Sequence, residues 1–239
     1  MQAFKWIAAL TVVVALSTFS MKVHAQVSCT GAVTYGPTFP GGTIANRTCN
    51  GFVISGVGST PAAAQTNLSG FIPLAPARYC KADSTPVNQY PGGFTSTWWC
   101  SNSTGWGYYV GGMGSTATDL GTNTLRFAEL YVASNVACKI NYTDVSAYTG
   151  GFKAHAYCMK SSGQAIVSGV GSTATDTGIN VRGFAELVAS GNACIMSDPM
   201  GRSGLQFKAV FQCTRGLVIG YGSTATAAGN DALMQAQMQ

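Results

Sequence analysis

Apolar and polar residues alternate along Phe152-Lys153-Ala154-His155-Ala156-Tyr157, the pattern of a strand with one buried face. A phenylalanine stands six residues before a cysteine here and at two related places, giving Phe94, Phe152 and Phe207. Beyond the second cysteine of each of four pairs lies an apolar pair, at Val53-Ile54, Tyr109-Val110, Ile166-Val167 and Leu217-Val218, and these apolar pairs are expected to be core. A Gly-x-Gly-Ser-Thr run follows every pair, at 56–60, 112–116, 169–173 and 220–224. The period then becomes helical, with Leu125, Phe127, Ala128 and Leu130 in one stretch and Val181, Phe184, Ala185 and Leu187 in another.

The helix starts are marked chemically. Thr60 before Pro61 matches an N-cap with proline in the first turn. Thr116 with Asp119, and Thr173 with Asp176, have the spacing of a capping box, in which both side chains bond first-turn backbone donors. Gly121, Gly178 and Gly229 share one position inside these helices, which weakens them and points to close packing on the sheet.

Such recurrence at a fixed period is the mark of a repeat architecture. Eight cysteines, at 29, 49, 80, 100, 138, 158, 194 and 213, form successive pairs separated by 20, 20, 20 and 19 residues. An even, regularly spaced set reads as disulfides, with no Cys-x-x-Cys pair to suggest metal. The simplest connectivity joins Cys29 to Cys49, Cys80 to Cys100, Cys138 to Cys158 and Cys194 to Cys213. The alternative joins the second cysteine of one unit to the first of the next. The expected fold is α+β: four tandem disulfide-stapled βββα repeats, mostly antiparallel sheet with helices packed on one face. The units are expected at 26–79, 80–137, 138–193 and 194–239. About 50 residues bury too little surface to stand alone comfortably, so neighbouring units should share a core.

Residues 1–25 read as a signal peptide cleaved near Ala25: Lys5 supplies the positive start and a largely apolar run of 11 follows from Trp6 to Leu16. That implies a secreted or periplasmic protein, and no later stretch reaches the roughly 20 apolar residues of a transmembrane segment. Without Lys5 and Lys22, 11 basic residues stand against 8 acidic ones, a net charge of +3. This is too mild and scattered for a nucleic-acid binder.

Candidate chemistry is sparse, and no cofactor or metal is expected. The Gly-x-Gly-Ser-Thr turn lacks the further glycines or lysine of nucleotide fingerprints, and its four copies look architectural. Asp83, Asp144, Asp198 and Asp231 read as turn acids that cap their own backbone. His155 is the one histidine past the expected cleavage site, so a triad hydrolase would have to use it as base. The second unit departs from the others in crowding Trp98, Trp99, Trp106 and Tyr108 onto two adjacent strands. Exposed rings of this kind stack on sugars or pack on proteins. Tyr109 is set aside because it occupies the repeated apolar position.

The leading expectation is therefore an exported, non-enzymatic binding or surface-interaction protein whose partner is carbohydrate or another protein. The alternatives are a secreted hydrolase using His155, and an inhibitor presenting a rigid loop such as Ser84 to Gly93.

Overall fold

The structure, a computed structural model, describes residues 27–36, 38–75, 77–197 and 200–239. The expected leader and its cleavage site lie outside the described residues, as do Asp198 and Pro199. The first unit contains β1 (Cys29–Tyr35), β2 (Thr43–Cys49), β3 (Phe52–Gly58) and α1 (Pro61–Phe71). The second contains β4 (Tyr79–Tyr90), β5 (Gly93–Ser101), β6 (Gly107–Val110), β7 (Met113–Gly114) and α2 (Ala117–Ser134). The third contains β8 (Ala137–Tyr148), β9 (Gly151–Lys160), β10 (Gly163–Gly171) and α3 (Ala174–Ala189). The fourth contains β11 (Cys194–Met196), β12 (Gly201–Ser203), β13 (Gln206–Cys213), β14 (Gly216–Gly222) and α4 (Ala225–Gln237).

Each unit thus has its own antiparallel sheet followed by a helix. In all four the cysteines face each other directly across the hairpin: Cys29 opposite Cys49, Cys80 opposite Cys100, Cys138 opposite Cys158, Cys194 opposite Cys213. The disulfides accordingly close within units, and the alternative connectivity is excluded. Two sheets are irregular. The third strand of the second unit breaks into β6 and β7 around Gly111 and Gly112, and the first strand of the fourth is split into β11 and β12.

The repeated motif is explained residue by residue. Both glycines of Gly-x-Gly face the unit's own helix at backbone contact. A β-carbon on Gly56 would overlap the backbone nitrogen of Leu68, one on Gly114 that of Leu120 and one on Gly171 that of Thr177. Thr60, Thr116, Thr173 and Thr224 are the N-caps, each accepting from the backbone N-H three residues on. The serine serves the next unit: Ser59 and Thr118, Ser115 and Thr175, and Ser172 and Thr226 each exchange two hydrogen bonds of 2.9–3.4 Å, backbone N-H to side-chain oxygen.

Further contacts tie each junction, some at all three and some at one or two. The helix glycines Gly121, Gly178 and Gly229 lie against the preceding unit, where a β-carbon would meet the Val57, Met113 or Val170 carbonyl. Asn67 Nδ2 donates to Val57 O at 2.6 Å and Thr118 O at 3.2 Å, and Asn123 Nδ2 repeats this with Met113 and Thr175 at 2.7 and 3.4 Å. Phe184 of α3 stacks on Phe211 of the fourth unit at 4.5 Å. Phe94, Phe152 and Phe207 cover the turn glycines Gly41, Gly92 and Gly150 of the unit before, all at positive φ. Substantial contacts between units link consecutive ones only, so the four form a row.

Several expectations need correcting. Ile54, Val110, Val167 and Val218 are buried, but Tyr109 and Leu217 are 43% and 54% exposed, because consecutive strand residues point to opposite faces. The carboxylates of Asp119 and Asp176 accept hydroxyl bonds from Thr175 and Thr226 of the next unit at 3.0 Å, so they join units besides standing in the first turn. Asp231 lies inside α4 and accepts from Tyr221 N and Gln235 Nε2, rather than capping a turn. Ser84 to Gly93 is not a protruding loop. It runs along β4 through a tight turn whose Gly92 rests against Phe152.

Candidate functional site: the aromatic row of the second unit

Trp98 lies opposite Ala82 and Val110 across the sheet and is fully buried, its Nε1 donating to Ser55 O of the first unit at 3.2 Å. This ring belongs to the junction core. Trp99, one residue along, faces the opposite way and lies directly between Lys81 on β4 and Tyr109 on β6. Trp99 and Tyr109 are 36% and 43% exposed and meet edge to face at 4.9 Å.

The next strand extends this row. Gly111 pairs in parallel with Lys139 of β8, through Gly111 N to Cys138 O at 3.1 Å and Ile140 N to Gly111 O at 3.0 Å. Lys139 consequently reaches over Tyr109, with Nζ 5.5 Å from the ring centre, in a cation–π contact. Four neighbouring strands therefore present Lys81, Trp99, Tyr109 and Lys139 in order. An open depression, lined by Lys81, Ala82, Asp83, Trp99 and Tyr109, lies along one end of the row.

Trp106 and Tyr108 turn to the other side of the sheet. Trp106, 68% exposed, closes the β5–β6 turn, where Asn102 Oδ1 accepts from Thr104 N, Thr104 Oγ1 and Trp106 N at 2.7–3.0 Å. Its ring meets Tyr108 at 6.0 Å, and Tyr108 meets Tyr131 of α2 at 6.1 Å. The Arg78 guanidinium covers Tyr131 at 4.4 Å. Burial raises the Tyr131 pKa and the neighbouring Arg78 charge partly offsets it. The four expected site residues are thus divided: Trp98 in the core, Trp99 on one face, Trp106 and Tyr108 on the other. Tyr109, set aside from sequence, joins Trp99, and strand alternation was the signal that could have placed it there.

His155 does approach a serine: its Nδ1 is 2.7 Å from Ser168 Oγ, which also accepts from Met196 N of the fourth unit at 2.9 Å. Ser168 is fully buried, whereas a hydrolytic nucleophile must meet its substrate. The first junction has the same arrangement, with Ser55 Oγ donating to Asn46 Oδ1 at 2.6 Å and accepting from Ala82 N at 3.0 Å. His155 therefore occupies a structural position of the repeat. Burial lowers its pKa, Lys153 adds to this and Asp144 opposes it.

Among the described residues no group of three or more His, Cys, Asp or Glu side chains is placed to hold a metal ion. No described helix is long and apolar enough to cross a membrane. No family model matches the chain and no curated protein matches it, so the site is read from its own residues.

Proposed function

We propose that this chain is an exported, non-enzymatic binding protein whose contact surface is centred on Trp99 and Tyr109. The four disulfides suit an oxidising compartment. One observation carries the reading: two large rings are held in mutual contact and left open to solvent, at positions where the first unit has Thr48 and Val53, the third Tyr157 and Ile166, and the fourth Gln212 and Leu217, so only the second unit pairs two aromatics there. The fold does not require aromatics there. Rigid rings of this type supply contact area at small entropic cost and are favoured at binding surfaces.

The test is a glycan-array screen of the intact protein, paired with a Trp99→Ala/Tyr109→Ala double variant and with Trp106→Ala. Array binding is expected to fall at least tenfold in the double variant and to persist in Trp106→Ala. Equal binding by the double variant and the parent refutes this location.

A further inference from the structure

We propose that Lys81, Trp99, Tyr109 and Lys139 form one subsite for an acidic polysaccharide, a step that rests on the binding reading above. The cross-strand register sets Lys81, Trp99 and Tyr109 directly opposite one another, and Lys139, paired with Gly111 two residues beyond Tyr109, reaches back over the Tyr109 ring. Neighbouring strands are about 4.8 Å apart and Lys139 is displaced by two residues along its strand, so the two lysine positions are separated by roughly 16 Å with both rings between them.

That order, cation–aromatic–aromatic–cation, selects a ligand. Trp99 and Tyr109 offer ring surface to the C-H faces of consecutive sugars, while each flanking ammonium can pair with a carboxylate or sulfate. Lys139 is already drawn over the Tyr109 ring, which fixes one cation beside the platform. Asp83 on the rim of the depression leaves the row with a net positive charge. A neutral glycan would use the rings and offer neither ammonium an anionic partner. Nucleic acid would need a longer basic track than two lysines provide. Among the described residues no other unit brackets two aromatics with two lysines in this register.

Intrinsic tryptophan emission of the intact protein is titrated with hyaluronan hexasaccharide, heparin hexasaccharide, dextran and a single-stranded oligothymidylate. The first probe carries carboxylates and the second chiefly sulfates, so together they identify which anion is read. An acidic glycan is expected to bind, to weaken about fivefold in Lys81→Ala and again in Lys139→Ala (about 1 kcal/mol each), and to be released as salt is raised. Circular dichroism of both variants verifies that they remain folded. Dextran binding as tightly as the acidic glycans, or lysine variants with unchanged affinity, overturns the acidic-ligand proposal. In that case the wider binding reading stands as long as Tyr109→Ala, which keeps the Trp99 reporter, still abolishes the response to the glycans. Tighter binding of the oligothymidylate overturns the proposal in favour of nucleic acid, and no binding of any probe overturns it outright.

Discussion

A single histidine and a single asparagine perform the same task at two junctions. Asn46 holds Ser55, and His155 holds Ser168, so that each serine oxygen can accept a backbone N-H from the next unit. The difference is that histidine titrates. Its pKa is lowered in the fold, so the neutral form is favoured there over the unfolded chain. The unfolded chain then binds more protons in acid, and stability that is complete above about pH 6.5 declines as pH falls toward the folded pKa. Urea midpoints at pH 7 and pH 5 should therefore differ in the parent. In His155→Asn, which copies the first junction, the His155 part of that difference should vanish. An undiminished difference in the variant would refute this role.

At the scale of elements, the third strand of each of the first three units is pressed between two helices, its own through the Gly-x-Gly glycines and the next unit's through Gly121, Gly178 or Gly229. Alanine in place of an exposed helix glycine usually gains about 1 kcal/mol. At Gly178 the new β-carbon would sit 2.7 Å from Met113 O, so Gly178→Ala is expected instead to destabilise by about 2 kcal/mol. Gln65 holds the same place in α1, with no preceding unit packed against it among the described residues, and Gln65→Ala should stay within about 0.5 kcal/mol. Equal urea midpoints for the two variants would contradict the sandwich. Strand order, disulfide pairing and threonine caps were legible in the sequence because each is a local rule repeated four times. The second covering of the strand was not, since it arises between units. Reading Val53-Ile54 or Tyr109-Val110 as wholly core set a repeated pattern above the alternation that sends their two members to opposite faces. That choice displaced Tyr109 from the site, and the crowding of aromatics alone could not separate Trp98 from Trp99. The traces of the junction were present as absences: the first unit lacks the helix glycine at Gln65 and the strand phenylalanine at Thr43.

Over the whole molecule, those absences mark the two ends of the row. At the leading end, Arg47 replaces the Trp98, Ala156 or Phe211 that later units place at this position. At the trailing end, Gln235 takes the position of the buried Phe71, Phe127 and Phe184 and donates its Nε2 to Ile219 O at 2.9 Å, while Asp231 accepts from Tyr221 N at 2.9 Å. The outer edge of β14 is thereby occupied by side chains of its own helix, as terminal repeats require. Removing residues 194–239 should uncover Phe184 and Val170 and yield an aggregating chain by size-exclusion chromatography. Duplicating 138–193 in frame should yield a monodisperse five-unit protein with a melting temperature no lower than the parent's. The reverse pair of outcomes would show that the ends are not specialised.

Cross-linking each hairpin at its open mouth also governs how the row responds to tension. Pulled from its two ends, the chain can let its helices and junctions come apart while the segment spanned by each bridge, a sequence separation of 20 in three units and 19 in the last, stays outside the stretched path. At about 3.5 Å per residue, every intact bridge withholds roughly 70 Å of extension. Strain is therefore taken up in short instalments, and reduction lengthens each one.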